Sequence, residues 1–296
     1  WAVKELDDGS TTETQIFRVD ASSKISLSNN DGGNTGNTIF GKSAFNTSTN
    51  NASDYNTFIG ELSAGTGSVA NASYNVGVGY KTLNAVTTGD YNVAIGNQPM
   101  LTATASEGNI AMGHDALGDA AVGESYNIAI GHAAMSSVDE GTAGGDADTN
   151  IAIGINALLG GDFAGSNLQL QGNIAIGGYA LDATAANAQT GTIAIGHQAL
   201  TAVTTGTANT VIGYQAMDGN VDGINNVAIG HLAGRQTQPN SRTLTGADSC
   251  VFIGYDARSS DNDVEPQNQI VIGTDAKGLA HNSVTLGNTS VTDVYC

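Results

Sequence analysis

A chain of 296 residues with 40 Gly, 3 Pro and 5 % aromatics cannot assemble a conventional core of large side chains, so small residues must let backbones pack closely. The formal net charge is -19 and no Lys or Arg occurs between Lys81 and Arg235, which excludes nucleic-acid binding and attraction to a bare anionic membrane, since both need cations. Two cysteines, Cys250 and Cys296, make no disulfide framework and are expected as free thiols, and no apolar run is long enough for membrane insertion.

Residues 1–36 carry two short apolar runs, Ile16-Phe17-Arg18-Val19 and Ile25-Ser26-Leu27, separated by the polar Asp20-Ala21-Ser22-Ser23. They predict a β-hairpin or a two-strand lead-in. Lys4, Arg18 and Lys24 lie here, so this end differs chemically from the rest of the chain and is expected to be a joint with another module.

Residues 37–280 are a repeat. A five-residue phrase ends on Gly at 41, 60, 79, 96, 113, 131, 154, 177, 196, 213, 230, 254, 273 and, in the last segment, 287. Intervals of this length predict stacked structural units. The phrase is clearest in Asn92-Val93-Ala94-Ile95-Gly96, Asn127-Ile128-Ala129-Ile130-Gly131, Ile151-Ala152-Ile153-Gly154, Ile174-Ala175-Ile176-Gly177, Ile193-Ala194-Ile195-Gly196 and Val227-Ala228-Ile229-Gly230. These residues are taken as the structural anchors of a short strand. The residue three before each Gly is β-branched and the residue one before it is apolar, so in an extended chain both point to one side, and that side is expected to be buried. The middle residue, often Ala, requires the opposite face to be closely approached as well. Asn stands four before the Gly in most copies, from Asn37 to Asn226, where it suits a turn and could build a hydrogen-bonded ladder between layers. Ala three after the Gly, often followed by Leu or Met as in Ala116-Leu117 and Ala199-Leu200, predicts a second short strand beyond the turn. So narrow an inward face leaves a lone chain short of buried surface, and a homo-oligomer with strands from several chains around one axis is the natural remedy.

The longest intervals carry insertions, at 136–149, 159–171, 236–249 and 259–267. They are either contact loops or tolerated surface loops. His114, His132, His197 and His231 directly follow the anchor Gly, a slot shared by Tyr80, Tyr214 and Tyr255. Three imidazoles at one level of a three-fold assembly would suit a metal. Lys42, Glu61, Asn97, Ile155 and Gly178 share the slot too, so an amphipathic column at a surface or a subunit seam is expected, and no metal. Asp218-Gly219-Asn220-Val221-Asp222-Gly223 matches the first half of a calcium loop, but Ile229 stands where the closing Glu belongs. The acidic residues keep a Gly- and Ala-rich stack soluble, or hold divalent cations in loops. No cofactor is expected, and no nucleophile, base or paired carboxylates stand at a spacing that supports an enzyme. Residues 281–296 have a shorter period and form a C-terminal transition segment.

The phrases Asn92 to Gly96, Asn127 to Met135 and Thr192 to Leu200 resemble the head repeats of trimeric autotransporter adhesins, in which Val-Ala-Ile-Gly units form a trimeric parallel β-roll. The linkers of the Thr87 to Asn92 type and the ending Val284 to Tyr295 are similar to bacteriophage tail fibres, where such a segment precedes an intramolecular chaperone of the endosialidase type. The resemblance implies an elongated all-β protein, a homotrimeric parallel β-roll or β-solenoid. It implies a virion tail fibre, extracellular, joined at its N-terminal end to other fibre or virion subunits and reaching a host surface glycan. A bacterial surface adhesin head and a purely structural extracellular filament are the alternatives.

Overall fold

The computed structural model describes residues 35–45, 52–120, 122–139, 146–161, 169–184, 187–235, 245–260 and 265–294, and before these the strand residues 2–4, 15–19 and 25–26. Cys296 and the central parts of the insertions lie outside the described residues, as does the turn expected at 20–23. β1 (Ala2–Lys4), β2 (Gln15–Val19) and β3 (Ile25–Ser26) form a small antiparallel sheet.

Every copy of the phrase is a strand. These are β4 (Thr38–Phe40), β5 (Thr57–Ile59), β6 (Val76–Tyr80), β7 (Val93–Asn97), β8 (Ile110–Met112), β9 (Ile128–Ile130), β10 (Ile151–Ile153), β12 (Ile174–Ile176), β14 (Ile193–Ile195), β15 (Thr210–Ile212), β16 (Val227–Ile229), β17 (Val251–Ile253), β18 (Ile270–Ile272) and β19 (Val284–Leu286). They pair in chain order as one parallel sheet of 14 strands. The register puts like on like: Val93 beside Ile110, Ala94 beside Ala111, Ile95 beside Met112. The chain is therefore a β-solenoid, and each residue type of the phrase becomes a column running along it. β11 (Leu170–Gln171) pairs in parallel with β13 (Gln189–Thr190), and the bridges Asp146 to Gln169 and Asp248 to Gln267 continue that second, sparser column.

The interior corrects the expected orientation of the strand. The middle column points inward, with Ala94, Ala111, Ala129, Ala152, Ala175, Ala194 and Ala228 fully buried, whereas the β-branched and apolar residues on either side lie on the outer face, half-buried or exposed. The reason is width. Opposite the strand, the interior is already filled by Leu83, Met100, Leu117, Met135, Leu158, Leu181, Leu200 and Met217, all fully buried, so the strand can contribute little more than a methyl group. Where Phe58 and Phe252 replace the small middle residue, a glycine gives way. A Cβ at Gly77 would lie 2.8 Å from Phe58 and one at Gly234 would lie 3.1 Å from Phe252. Each buried Leu or Met of the opposing column is worth about 1.5–3 kcal/mol.

The expected second strand is a stacked turn. Its backbone groups still bond along the axis: Lys81 N–H donates to the Glu61 carbonyl one layer back, and Leu83 N–H to the Pro99 carbonyl one layer on. To aim alternate amides in opposite directions the turn uses left-handed residues that are not glycine, Lys81 at φ 53° and Leu83 at φ 48°, Gln98 at 62° and Met100 at 51°. That strain is tolerated because buried backbone amides without partners would cost more. The Asn ladder forms. Asn75 Oδ1 accepts both the backbone N–H of Asn92 at 2.9 Å and its Nδ2 at 3.1 Å, and Asn92 Nδ2 also donates to the Ser106 carbonyl at 2.7 Å. The ladder continues to Thr192, breaks, and resumes from Asn209 to Asn226 and Cys250, which is buried.

Candidate functional surface

The outer face of the long sheet follows from this inversion. Its two columns run from Thr38 and Phe40 to Val284 and Leu286, and in neither does a charged residue occur along the 14 strands. The anchors Val93, Ile95, Ile128, Ile130, Ile151, Ile153, Ile174, Ile176, Ile193, Ile195, Val227 and Ile229 all belong to this strip, while Asn92 and Asn127 belong to the buried ladder. Gly96, Gly131, Gly154, Gly177, Gly196 and Gly230 form the column where successive layers touch backbone to backbone. Ile59, Met112, Ile212, Ile229 and Ile272 remain 37–39 % exposed in the single chain. At about 4.8 Å per layer the strip is on the order of 65 Å long, and roughly 10–12 Å of width makes it about 650–800 Å², more than the few hundred Å² a monomeric surface leaves as one apolar patch.

The His and Tyr slot borders this strip. Strands β6 and β7 continue through it, to Tyr80 and Asn97, so the two-residue alternation keeps it on the outer face. His114 and His132 stack at 5.1 Å, and His197, Tyr214, His231 and Tyr255 form a continuous stack at 5.5, 5.2 and 5.4 Å. The rings lie nearly parallel, one above another. Among the described residues no three His, Cys, Asp or Glu side chains are placed to hold a metal. The calcium-like run is engaged by the stack itself: Asp218 pairs with Arg235 at 3.0 Å, Asn220 Oδ1 accepts the Ala247 N–H at 3.2 Å, and Asn220 Nδ2 donates to Gly223 O at 3.4 Å. Arg235 also donates to Gln215 at 2.7 Å, and Gln215 to Gln198 at 2.7 Å, so the sparse cations of this half serve the rungs.

Burial lifts several carboxyls above their ordinary range. Asp218 is raised by burial with Arg235 opposing, and Asp182 by burial with the Thr201 hydroxyl opposing. Asp119 is raised by burial first and then by Asp139 and Asp115. Asp148 is raised by burial, with the Ser125 N–H opposing and Asp146 adding.

One column escaped sequence reasoning: the residue directly before the Asn ladder, Tyr55, Tyr74, Tyr91 and Tyr126, whose rings are about half exposed. The recurrent Tyr-Asn pair was the available signal. The surface as a whole is suited to association: it offers apolar area, stacked rings and few cations. Among the described residues no helix is long and apolar enough to cross a membrane. No family model, no curated protein and no solved structure matches this chain.

Proposed function

We propose that the chain is the repetitive shaft of a homotrimeric bacteriophage tail fibre that reaches and contacts a bacterial surface glycan. One observation carries the self-association: a chain with 28 acidic residues keeps both outer columns of its long sheet free of charge from end to end. Random solvation of a surface would place carboxylates there, whereas a face covered by another copy excludes them, because an unpaired buried charge is costly. The strip is close to the ~800 Å² that each partner gives to a standard interface. Identical layers at identical heights let copies meet column to column around one axis, with the His and Tyr stacks along the seams. The fibre role rests on the resemblance of the linkers and of the Val284 to Tyr295 ending. Native mass spectrometry tests the assembly: the expected particle is three times the 29.8 kDa chain, and a folded monomer removes the trimer.

A further inference from the structure

The tyrosine column is a ladder with one blank rung. Tyr55, Tyr74 and Tyr91 stack face to face at 5.2 and 5.0 Å, with interplanar angles of 15° and 2°. The next layer presents Gly108 in that column, and the layer after it presents Tyr126. Tyr126 holds the same pose over Gly108 that Tyr55 holds over Gly36: in both cases Cδ1 lies 2.7 Å, and Cγ 3.7 Å, from where a Cβ would stand. With equal poses and one layer per about 4.8 Å, the rings of Tyr91 and Tyr126 are about 9.6 Å apart, twice the spacing of the ladder. A six-membered ring entering between them would stack on both at about 4.8 Å, inside the normal range of ring contacts. Gly172 and Gly191 leave the same column open further along, but a Cβ there would meet nothing within 4 Å, so those openings have no walls.

The rim of the slot selects the ligand. Glu107 accepts the Tyr126 hydroxyl at 3.2 Å, whereas Asp90, the neighbour of Tyr91, is turned to the layer before, where it accepts the Ser73 N–H at 2.6 Å. The Glu107 carboxylate has further acceptor capacity, and no Lys or Arg occurs from there until Arg235. A rim of acceptors asks for a ligand that carries several O–H donors around a ring whose faces are C–H. That is a pyranose. An anionic sugar would be repelled by the carboxylate, and an aromatic side chain would leave it without a donor.

We propose that the slot formed by Tyr91, Gly108 and Tyr126 binds one uncharged pyranose ring of a saccharide, sandwiched between the two tyrosines and hydrogen-bonded by Glu107. This deepens the glycan part of the proposed function and does not depend on the trimer. Saturation-transfer NMR on the whole protein tests it, with the methyl glycosides of glucose, galactose, mannose and N-acetylglucosamine as probes and sialyllactose and phenol as comparisons. The expected result is transfer to the ring protons of at least one neutral glycoside. The signal falls at least tenfold in Tyr91→Ala and in Gly108→Tyr and persists in Tyr91→Phe. Gly108→Tyr removes no native group: its backbone, at φ 67°, resembles that of Tyr74 at 60°, and once the Tyr126 ring tilts off the new Cβ, which would lie 2.7 Å from its Cδ1, the new ring fills the slot. Transfer to none of the four glycosides, transfer undiminished by Gly108→Tyr, or binding of phenol alone overturns the proposal, the last in favour of an aromatic side chain. Native mass on the same samples separates the two readings: a monomer that binds sugar leaves the slot standing and removes the trimer, and a trimer that binds none does the reverse.

Discussion

At the anchor glycines two constraints coincide. Gly154 sits at φ 138°, and a Cβ there would lie 2.6 Å from the Gly177 carbonyl of the next layer. Gly154→Ala must therefore push two layers apart as well as strain its own backbone, and we expect a loss of at least about 3 kcal/mol in urea unfolding. A loss under about 1 kcal/mol would show that the layers can separate locally. The Asn ladder invites the opposite experiment. Thr192 accepts its place in the ladder through its backbone N–H, bonded to Asn173 Oδ1 at 3.0 Å, but its own hydroxyl is buried without a partner. Thr192→Asn restores an acceptor for the Asn209 layer and a donor toward Asn173, and a gain of about 1 kcal/mol is expected in thermal unfolding. These residue-level roles were largely legible from sequence, because Gly and Asn have few reasons to recur at a fixed offset. Thr192 itself was not, since a hydroxyl and an amide both suit a turn.

The turn after each strand is the element where charge gathers. Asp115 and Asp119 belong to the turn after β8 and Asp139 to the turn after β9, and burial together with their mutual repulsion holds the Asp119 carboxyl above 3.8. Burial likewise raises Asp148, Asp182, Asp218 and Asp256. A raised carboxyl binds its proton more tightly in the folded chain than in the unfolded one. The folded state therefore gains stability as pH falls from neutrality through the raised values, and the gain is complete once pH is below the unfolded value of 3.8. Thermal unfolding is expected at higher temperature at mildly acidic pH than at pH 7, and Asp119→Asn should raise the pH 7 value and flatten the profile. A profile that falls on acidification would mean that other groups dominate. Sequence reasoning expected a strand here. The expected turn instead continues through these positions, which the sequence did not show because left-handed Leu83, Met100 and Leu117 defy local preference, and only the rung-to-rung hydrogen bonds of the whole stack make them tolerable.

For the whole molecule, the decisive feature is the charge-free outer face. Ile153 and Ile176 stand side by side in its centre, paired across β10 and β12 and only half-buried in the single chain. The double change Ile153→Asp with Ile176→Asp is expected to release folded monomers of 29.8 kDa, with the circular dichroism of the parent, because it charges the face without touching the interior. An assembly of unchanged mass would show that the face is not the interface. The insertions, expected as either contact loops or tolerated surface loops, are legible only as interruptions of the period, and their composition names no partner.

By itself, the sequence determined the 14 strands that share the phrase, their order and the glycine column, and it offered the Asn ladder. Each depends on a residue type that recurs at a fixed place, and a repeat can bury its short strands only by stacking like on like. The tertiary structure alone decided which side of the strand faces in. Alternation separates two faces without saying which is internal, and the larger Ile and Val side chains suggested the wrong one. Space is what assigns them: Leu117, Met135 and their equivalents fill the interior, so Ala111 and Ala129 turn inward and the branched residues are left on the surface.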